Sequence, residues 1–266
     1  MTMPPAKRRA RAYDSAKIRA AVLAQFGNVR DGVRALTEEQ LARPTHLGDW
    51  SVRELAAHIT AAVETVSRNL DRDEPTKAAL GLLDWPFATA ARAGDIADGS
   101  RELAEQNPDL DALYDSTERR IAERLATAPD DRLLAARTGA MTLADYLVTR
   151  TVELVVHTDD LNRAAGTEIP FDRQALAACT RLLADALAVK APGASTEVRI
   201  PPYAVVQCVE GPRHTRGTPP NVVETDPLTW IRLATGRTAW QAALEDAKVS
   251  ASGERADLGG LLPLMG

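Results

Sequence analysis

The stretch Thr142-Leu-Ala-Asp-Tyr-Leu-Val-Thr-Arg-Thr-Val-Glu-Leu-Val-Val-His-Thr-Asp-Asp-Leu-Asn-Arg-Ala-Ala-Gly166 decides the fold. Thr142 is an N-cap residue, whose hydroxyl can accept an exposed backbone N–H. Gly166 suits the left-handed residue that closes a helix. The spacing between them predicts one long helix. Its apolar residues Leu147, Leu154, Val155 and Leu161 cover adjoining faces, while Tyr146, Arg150, Glu153, His157 and Asp160 form one polar stripe. A polar stripe on an otherwise apolar helix needs water or partners. Glu153 and His157 are four residues apart, so they project from one face, one turn above the other. Two side chains at that spacing can grip one metal ion. By spacing alone the commoner reading is a solvated or self-satisfied helical pair.

Outward from this helix, the chain reads as helix after helix up to about residue 190. Asp14 or Ser15 opens the first, with Ile18, Val22, Phe26, Val29 and Val33 at helical spacing. Thr37 to Gln40 and Ser51 to Glu54 are capping boxes, the second opening a helix through His58 to about Asn69. Residues 71–84 read as a loop. Helical patterns resume over 87–105 and 110–127, and 129–140 reads as a loop. Asp172 opens a further helix with Leu176, Cys179, Leu183 and Leu187 on one face. Near Pro192 the texture changes. Residues 197–200, 204–209, 221–224 and 248–253 read as strands. Asp226-Pro227 starts a helix with a cap and a proline in its first turn, residues 238–247 form a short helix, and 256–265 a closing helix. The expected fold class is α then α+β. The expected domains are a basic, disordered leader over 1–13, a helical bundle over 14–192, and a small α+β domain over 193–266.

Composition narrows the functional classes. Hydrophobic residues make up 45% and charged residues 26%, which is ordinary for a globular protein. Aromatics are only 4%, so the core must come from Ala, Leu and Val, which favours closely packed helices. The longest run without Asp, Glu, Lys or Arg is ten residues, whereas a spanning helix needs about 20. No signal-peptide pattern follows the basic start, and two cysteines, Cys179 and Cys208, are too few for a disulfide framework. A cytoplasmic location with reduced thiols is expected. The first 20 residues hold six Lys or Arg and one acid, but no base-stacking or groove-reading element follows, so no nucleic-acid partner is expected.

The segments Gly48-Asp-Trp-Ser-Val-Arg-Glu-Leu-Ala-Ala-His58 and Arg150-Thr-Val-Glu-Leu-Val-Val-His-Thr-Asp-Asp160 resemble the two signature segments of the mycothiol-dependent maleylpyruvate isomerase family. That resemblance implies a DinB-like four-helix bundle over roughly residues 15–190. It implies a metal, usually zinc but not to the exclusion of another divalent ion, held by His58, Glu153 and His157. It further implies a mycothiol-like thiol cosubstrate at the open metal position. Coordination deprotonates a thiol, and the thiolate is the nucleophile. Cys179 and Cys208 are then packing residues. Glu54, although four residues from His58, is already engaged by its capping box, and His46 lies in the loop before that helix.

Residues 226–240 and 248–265 resemble the tail of sterol-carrier-type domains, a resemblance that implies an apolar ligand tunnel; a domain of 193–266 is short for one. Arg213 and Arg216 flank a Gly-Thr turn and could fork onto a carboxylate, or stand solvated in an exposed loop. In the family an arginine of the C-terminal domain faces the metal site, which makes these two the weak candidates here. A cleft between the domains is expected, with the metal at its floor and the 213–216 loop at its rim. Arg53 and Arg150 are expected to be engaged by Glu54 and Glu153. The partners expected are a small thiol and a small carboxylate substrate, with no membrane. Against this enzyme reading stand a non-catalytic metal-binding module with a degenerate carrier domain, and a lipid or sterol carrier.

Overall fold

A computed structural model describes residues 11–89, 93–212 and 219–265. The bundle is built from α1 (Ser15–Arg34), a short α2 (Glu38–Leu41), α3 (Val52–Leu70), α4 (Trp85–Thr89), α5 (Ala93–Gln106), α6 (Leu110–Thr127) and α7 (Leu143–Ala165). Their starts follow the side-chain chemistry: Asp14, Thr37, Ser51, Asp109 and Thr142 each accept a first-turn N–H, with full capping boxes at Thr37 and Ser51. Gly166 closes α7 at φ 68°, in the left-handed region.

Helix α1 packs on α6 and α7, and α3 packs on the same two, so the four form a bundle with α1 diagonal to α3. Helix α5 lies outside, against α3. Small residues let the helices approach: Ala56 and Ala57 of α3 are buried, and Tyr114 of α6 donates its hydroxyl to Ala56 O at 2.8 Å. Phe26 of α1 stacks on Tyr114 with ring centroids 5.1 Å apart.

Helix α8 (Arg173–Lys190), capped by Asp172, packs on α1 and α7. Its other contacts are with strand β4 and helix α9 of the C-terminal region, so it is shared by both layers. Six of its alanines are buried, which is what lets one helix serve two faces. The C-terminal region holds β3 (Thr196–Ile200), β4 (Ala204–Cys208), β5 (Val222–Thr225), α9 (Pro227–Ala234), α10 (Trp240–Glu245) and β6 (Val249–Ser252). The sheet order is β4-β3-β5-β6, with β3 parallel to β5 and the other pairs antiparallel. Thr196, Val198 and Ile200 alternate inward along β3.

Two local expectations are corrected. The loop over 129–140 contains β1 (Leu133–Leu134), which pairs with β2 (Met141–Thr142) just before α7. The closing helix over 256–265 is only a single 3₁₀ turn, Gly259–Leu261. Two adjacent glycines weaken any helix there, and Pro263 cannot continue one. Of the leader, residues 1–10 lie outside the described residues; Arg11 donates to Asp185 at 2.9 Å and Tyr13 packs against the core. Among the described residues no helix is long and apolar enough to cross a membrane.

Gly193 joins α8 to β3, and a methyl group there would sit 1.9 Å from Val209 O. Backbone cannot yield as a side chain does. Gly193→Ala is therefore expected to cost about 1–3 kcal/mol of stability, the range for overpacking. A urea midpoint unchanged from wild type would contradict this.

Candidate metal centre

Helices α3 and α7 cross side by side in the bundle, and each contributes to one polar point in the apolar core. From α3 comes His58; from α7 come Glu153 and His157. One ligand atom from each lies within 4.8 Å of the others. The rings of His58 and His157 meet edge to face, with centroids 4.9 Å apart. Among the described residues this is the one group of three or more His, Cys, Asp or Glu side chains close enough to share an ion.

The second nitrogen of each imidazole is held from behind. His58 Nδ1 lies 3.1 Å from Ser100 Oγ on α5. His157 Nδ1 donates to Asp160 Oδ2 at 3.1 Å. Partners on Nδ1 orient both rings and leave Nε2 for the shared point, the usual arrangement around metal-bound histidines. His157 Nε2 is 3.4 Å from Glu153 Oε2. Zinc bonds of about 2.0–2.1 Å in tetrahedral array put ligand atoms roughly 3.3–3.4 Å apart, so this pair already has the spacing of two ligands. A set of two imidazoles and one carboxylate is a known catalytic zinc set and leaves coordination open.

Protonation states suit the same role. Burial, helped by the neighbouring His157, depresses His58 to a pKa of about 3, so it is a neutral donor at pH 7. Burial pushes Glu153 upward, but the hydrogen bond from His157 and the charge of Arg150 outweigh it and hold the pKa at about 2. His157 is opposed by burial and raised by Asp160 and Glu153. Arg150 lies 3.7 Å from Glu153 Oε1, donates to Ala62 O at 3.1 Å, and stacks over the Tyr146 ring.

Asp160 connects the site to the C-terminal region. Its Oδ2 accepts from Arg237 Nη2 at 3.0 Å as well as from His157. Next to it, Asp159 takes a two-toothed contact from Arg232 of α9, at 2.8 and 2.6 Å. Both aspartates are buried. These arginines were not singled out in the sequence. The signal available was the Asp159-Asp160 pair on an apolar helix, since buried acids require cationic partners.

The other expected residues fall as follows. Arg213 and Arg216, and the loop around them, lie outside the described residues. Arg53 is engaged by Glu38 and Pro108 O rather than by Glu54. Glu54 accepts from the Ser51 backbone at 2.6 Å and from Arg101 at 3.2 Å, as its capping role requires. His46 is exposed. Both cysteines are buried, and burial raises the Cys179 thiol well above its ordinary value.

A pocket of about 650 Å³ opens beside the triad, with His58 and Glu153 in its wall. It lies within the helical region, between α3, α5, α6, α7 and the 136–138 loop, and its described lining includes nothing from the C-terminal region. This pocket is distinct from the expected cleft between the two regions, whose rim loop lies outside the described residues. The burial of Asp159 and Asp160 against Arg232 and Arg237 fills that side with ion pairs.

Comparison with known families places two matches on the chain. Mycothiol maleylpyruvate isomerase N-terminal domains match residues 22–162, and bacterial SCP orthologs match residues 172–264, a span that takes in α8. A crystal structure of the mycothiol-dependent maleylpyruvate isomerase superposes with a TM-score of 0.60 at 14% identity, covering 96% of this chain and 97% of that one. A crystal structure of its His-to-Ala mutant gives the same values. At that identity the likeness is one of fold. No curated protein matches the sequence.

Proposed function

The chain belongs to the mycothiol maleylpyruvate isomerase N-terminal domain family, here joined to a bacterial SCP domain, and from that premise we propose that it is a metal-dependent enzyme using a low-molecular-weight thiol. Its substrate in this reading is a small electrophilic carboxylate, which is isomerised or conjugated. The observation that carries the proposal is the convergence of two rear-anchored histidines and Glu153 beside an open pocket. A binding module with no turnover has no need of a pocket next to its metal ligands.

His58, Glu153 and His157 would hold the ion. When bound, a divalent metal such as zinc favours the thiolate form of a coordinating thiol. The chain's own residues do the rest. Ser100 and Asp160 fix the two rings, and Arg237 fixes Asp160. Arg150 holds Glu153 in its ionised form. Trp85 and Leu103 give the pocket part of its apolar wall. Addition of the thiolate to a cis-enoyl acid, rotation about the new single bond and expulsion of the same thiolate would yield the trans acid. The thiol is returned and nothing is oxidised. The buried cysteines take no part, and a mycothiol-like cosubstrate supplies the sulfur. We place this chemistry in the reducing cytoplasm, where such a thiol persists.

The test is spectroscopic. Cobalt-loaded full-length protein is titrated with mycothiol, and the expected result is a sulfur-to-cobalt charge-transfer band that His58→Ala does not show. Metal-loaded protein whose spectrum ignores the thiol would favour the non-catalytic metal-binding module.

A further inference from the structure

The pocket beside the triad has a second end that thiol activation does not use. Arg68 and Arg72, at and just past the C-terminal end of α3, and Arg137 of the 136–138 loop also line the pocket, and all three are exposed. Among the described residues none of their guanidinium groups has a hydrogen bond or an ion pair. Two acids in the neighbourhood are engaged by other arginines. Glu64, which also lines the pocket and attracts Arg68 electrostatically, is paired with Arg120. Asp71 is paired with Arg120 and Arg124 at 2.6 and 2.7 Å. Three guanidiniums without an ion pair among the described residues, lining one pocket of a chain of net charge −5, favour an anion there.

The pocket wall is partly apolar. Trp85, Leu103, Leu113 and Ala61 contribute to it. Length follows from the helix. Arg68 lies ten residues beyond His58 on α3, a rise of about 15 Å. Side chains lean toward a helix N-terminus, which shortens the gap but does not close it.

We propose that the pocket takes an extended amphipathic carboxylate, which narrows the enoyl acid of the enzyme reading to one carrying a second, distal carboxylate. Its reactive enoyl end lies at His58 and Glu153, its apolar body runs along the α3–α5–α6 wall, and its distal carboxylate is held by Arg68, Arg72 and Arg137. Arginine forks match carboxylate geometry. This rests on the enzyme reading for the meaning of "reactive end", but it is tested by binding, without turnover.

The probe is dansyl-undecanoate, titrated by fluorescence into the full-length protein, with its methyl ester as the uncharged control. The acid is expected to bind at least about tenfold more tightly than the ester, with an advantage that shrinks as salt rises. The triple variant Arg68→Gln, Arg72→Gln, Arg137→Gln is expected to bind acid and ester alike. Circular dichroism checks that it folds, and its metal content should match wild type. An acid that binds no better than its ester would overturn the proposal. So would a triple variant that keeps the wild-type preference, since the probe would then sit elsewhere, including the C-terminal region. His58→Ala separates the two readings. It should keep the acid preference while losing the thiol response. A lost thiol response in wild type with an intact acid preference would count against the enzyme reading alone.

Discussion

His157→Ala is expected to emerge from purification without a divalent ion, where wild type carries close to one per chain. The expectation follows from the ligand set. His58, Glu153 and His157 come together within 4.8 Å, and removing one leaves a single imidazole and a single carboxylate on different helices. Catalytic zinc sites use three protein ligands, and two rarely retain the ion. Folding should survive, because alanine fits a helix well. Asp160→Ala should behave differently. It keeps all three ligands but releases His157 Nδ1 and leaves Arg237 without its acid, so metal affinity should fall about 10–100-fold rather than vanish. His46→Ala should change nothing, since that residue is exposed. Elemental analysis of the three purified variants, with a chelator competition for the second, reads all of this. A full complement of ion in His157→Ala would sink the assignment of the centre.

The helical order was legible because the signals that set it are local. Capping boxes at Thr37 and Ser51, the helical spacing between Thr142 and Gly166 and the strand pattern at 197–200 each rest on residues close together in the chain. The two-residue strands β1 and β2 were not legible, since two residues carry no periodicity. The closing helix failed for the opposite reason. Leu258, Leu261, Leu262 and Leu264 look helical, but Gly259, Gly260 and Pro263 decide the backbone.

The centre itself was half legible. Glu153 and His157 share a helical face by spacing, whereas adding His58 required the resemblance between families, because nothing in the local sequence links α3 to α7. The ion pairs that brace the centre were invisible for the same reason. Arg232 and Asp159 are 73 residues apart, and Arg237 and Asp160 are 77. The arginines at the pocket mouth could have been found. His58, Ala61, Thr65, Arg68 and Arg72 follow one face of α3 and its C-terminal extension at helical spacing, so a line drawn from the candidate ligand leads to them.

Arg232→Ala is expected to destabilise the whole chain by about 3 kcal/mol while leaving the metal in place. Asp159 is 4% exposed, and Arg232 grips its carboxylate with two hydrogen bonds, which is what makes its charge tolerable. Breaking a buried pair from one side costs about 3–5 kcal/mol. Arg232 keeps 32% of its side chain in contact with water, which puts the expected loss at the low end. The orphaned carboxylate dominates that cost, and this gives the test its discriminating arm. Removing Asp159 as well, in the Asp159→Ala, Arg232→Ala double variant, should destabilise less than the two single losses added together. The difference should be at least about 1 kcal/mol, the size of coupling seen between residues in one ion-pair network. Arg237→Ala should show the reverse balance. Asp160 retains His157 as a partner, so stability falls less than in Arg232→Ala, but metal affinity falls because the anchor of His157 is loosened. Urea unfolding and metal titration on the same four proteins separate the cases. Strictly additive losses, or metal loss in Arg232→Ala equal to that in Arg237→Ala, would mean that the two arginines clamp the regions together without distinguishing the aspartate that anchors His157 from its neighbour.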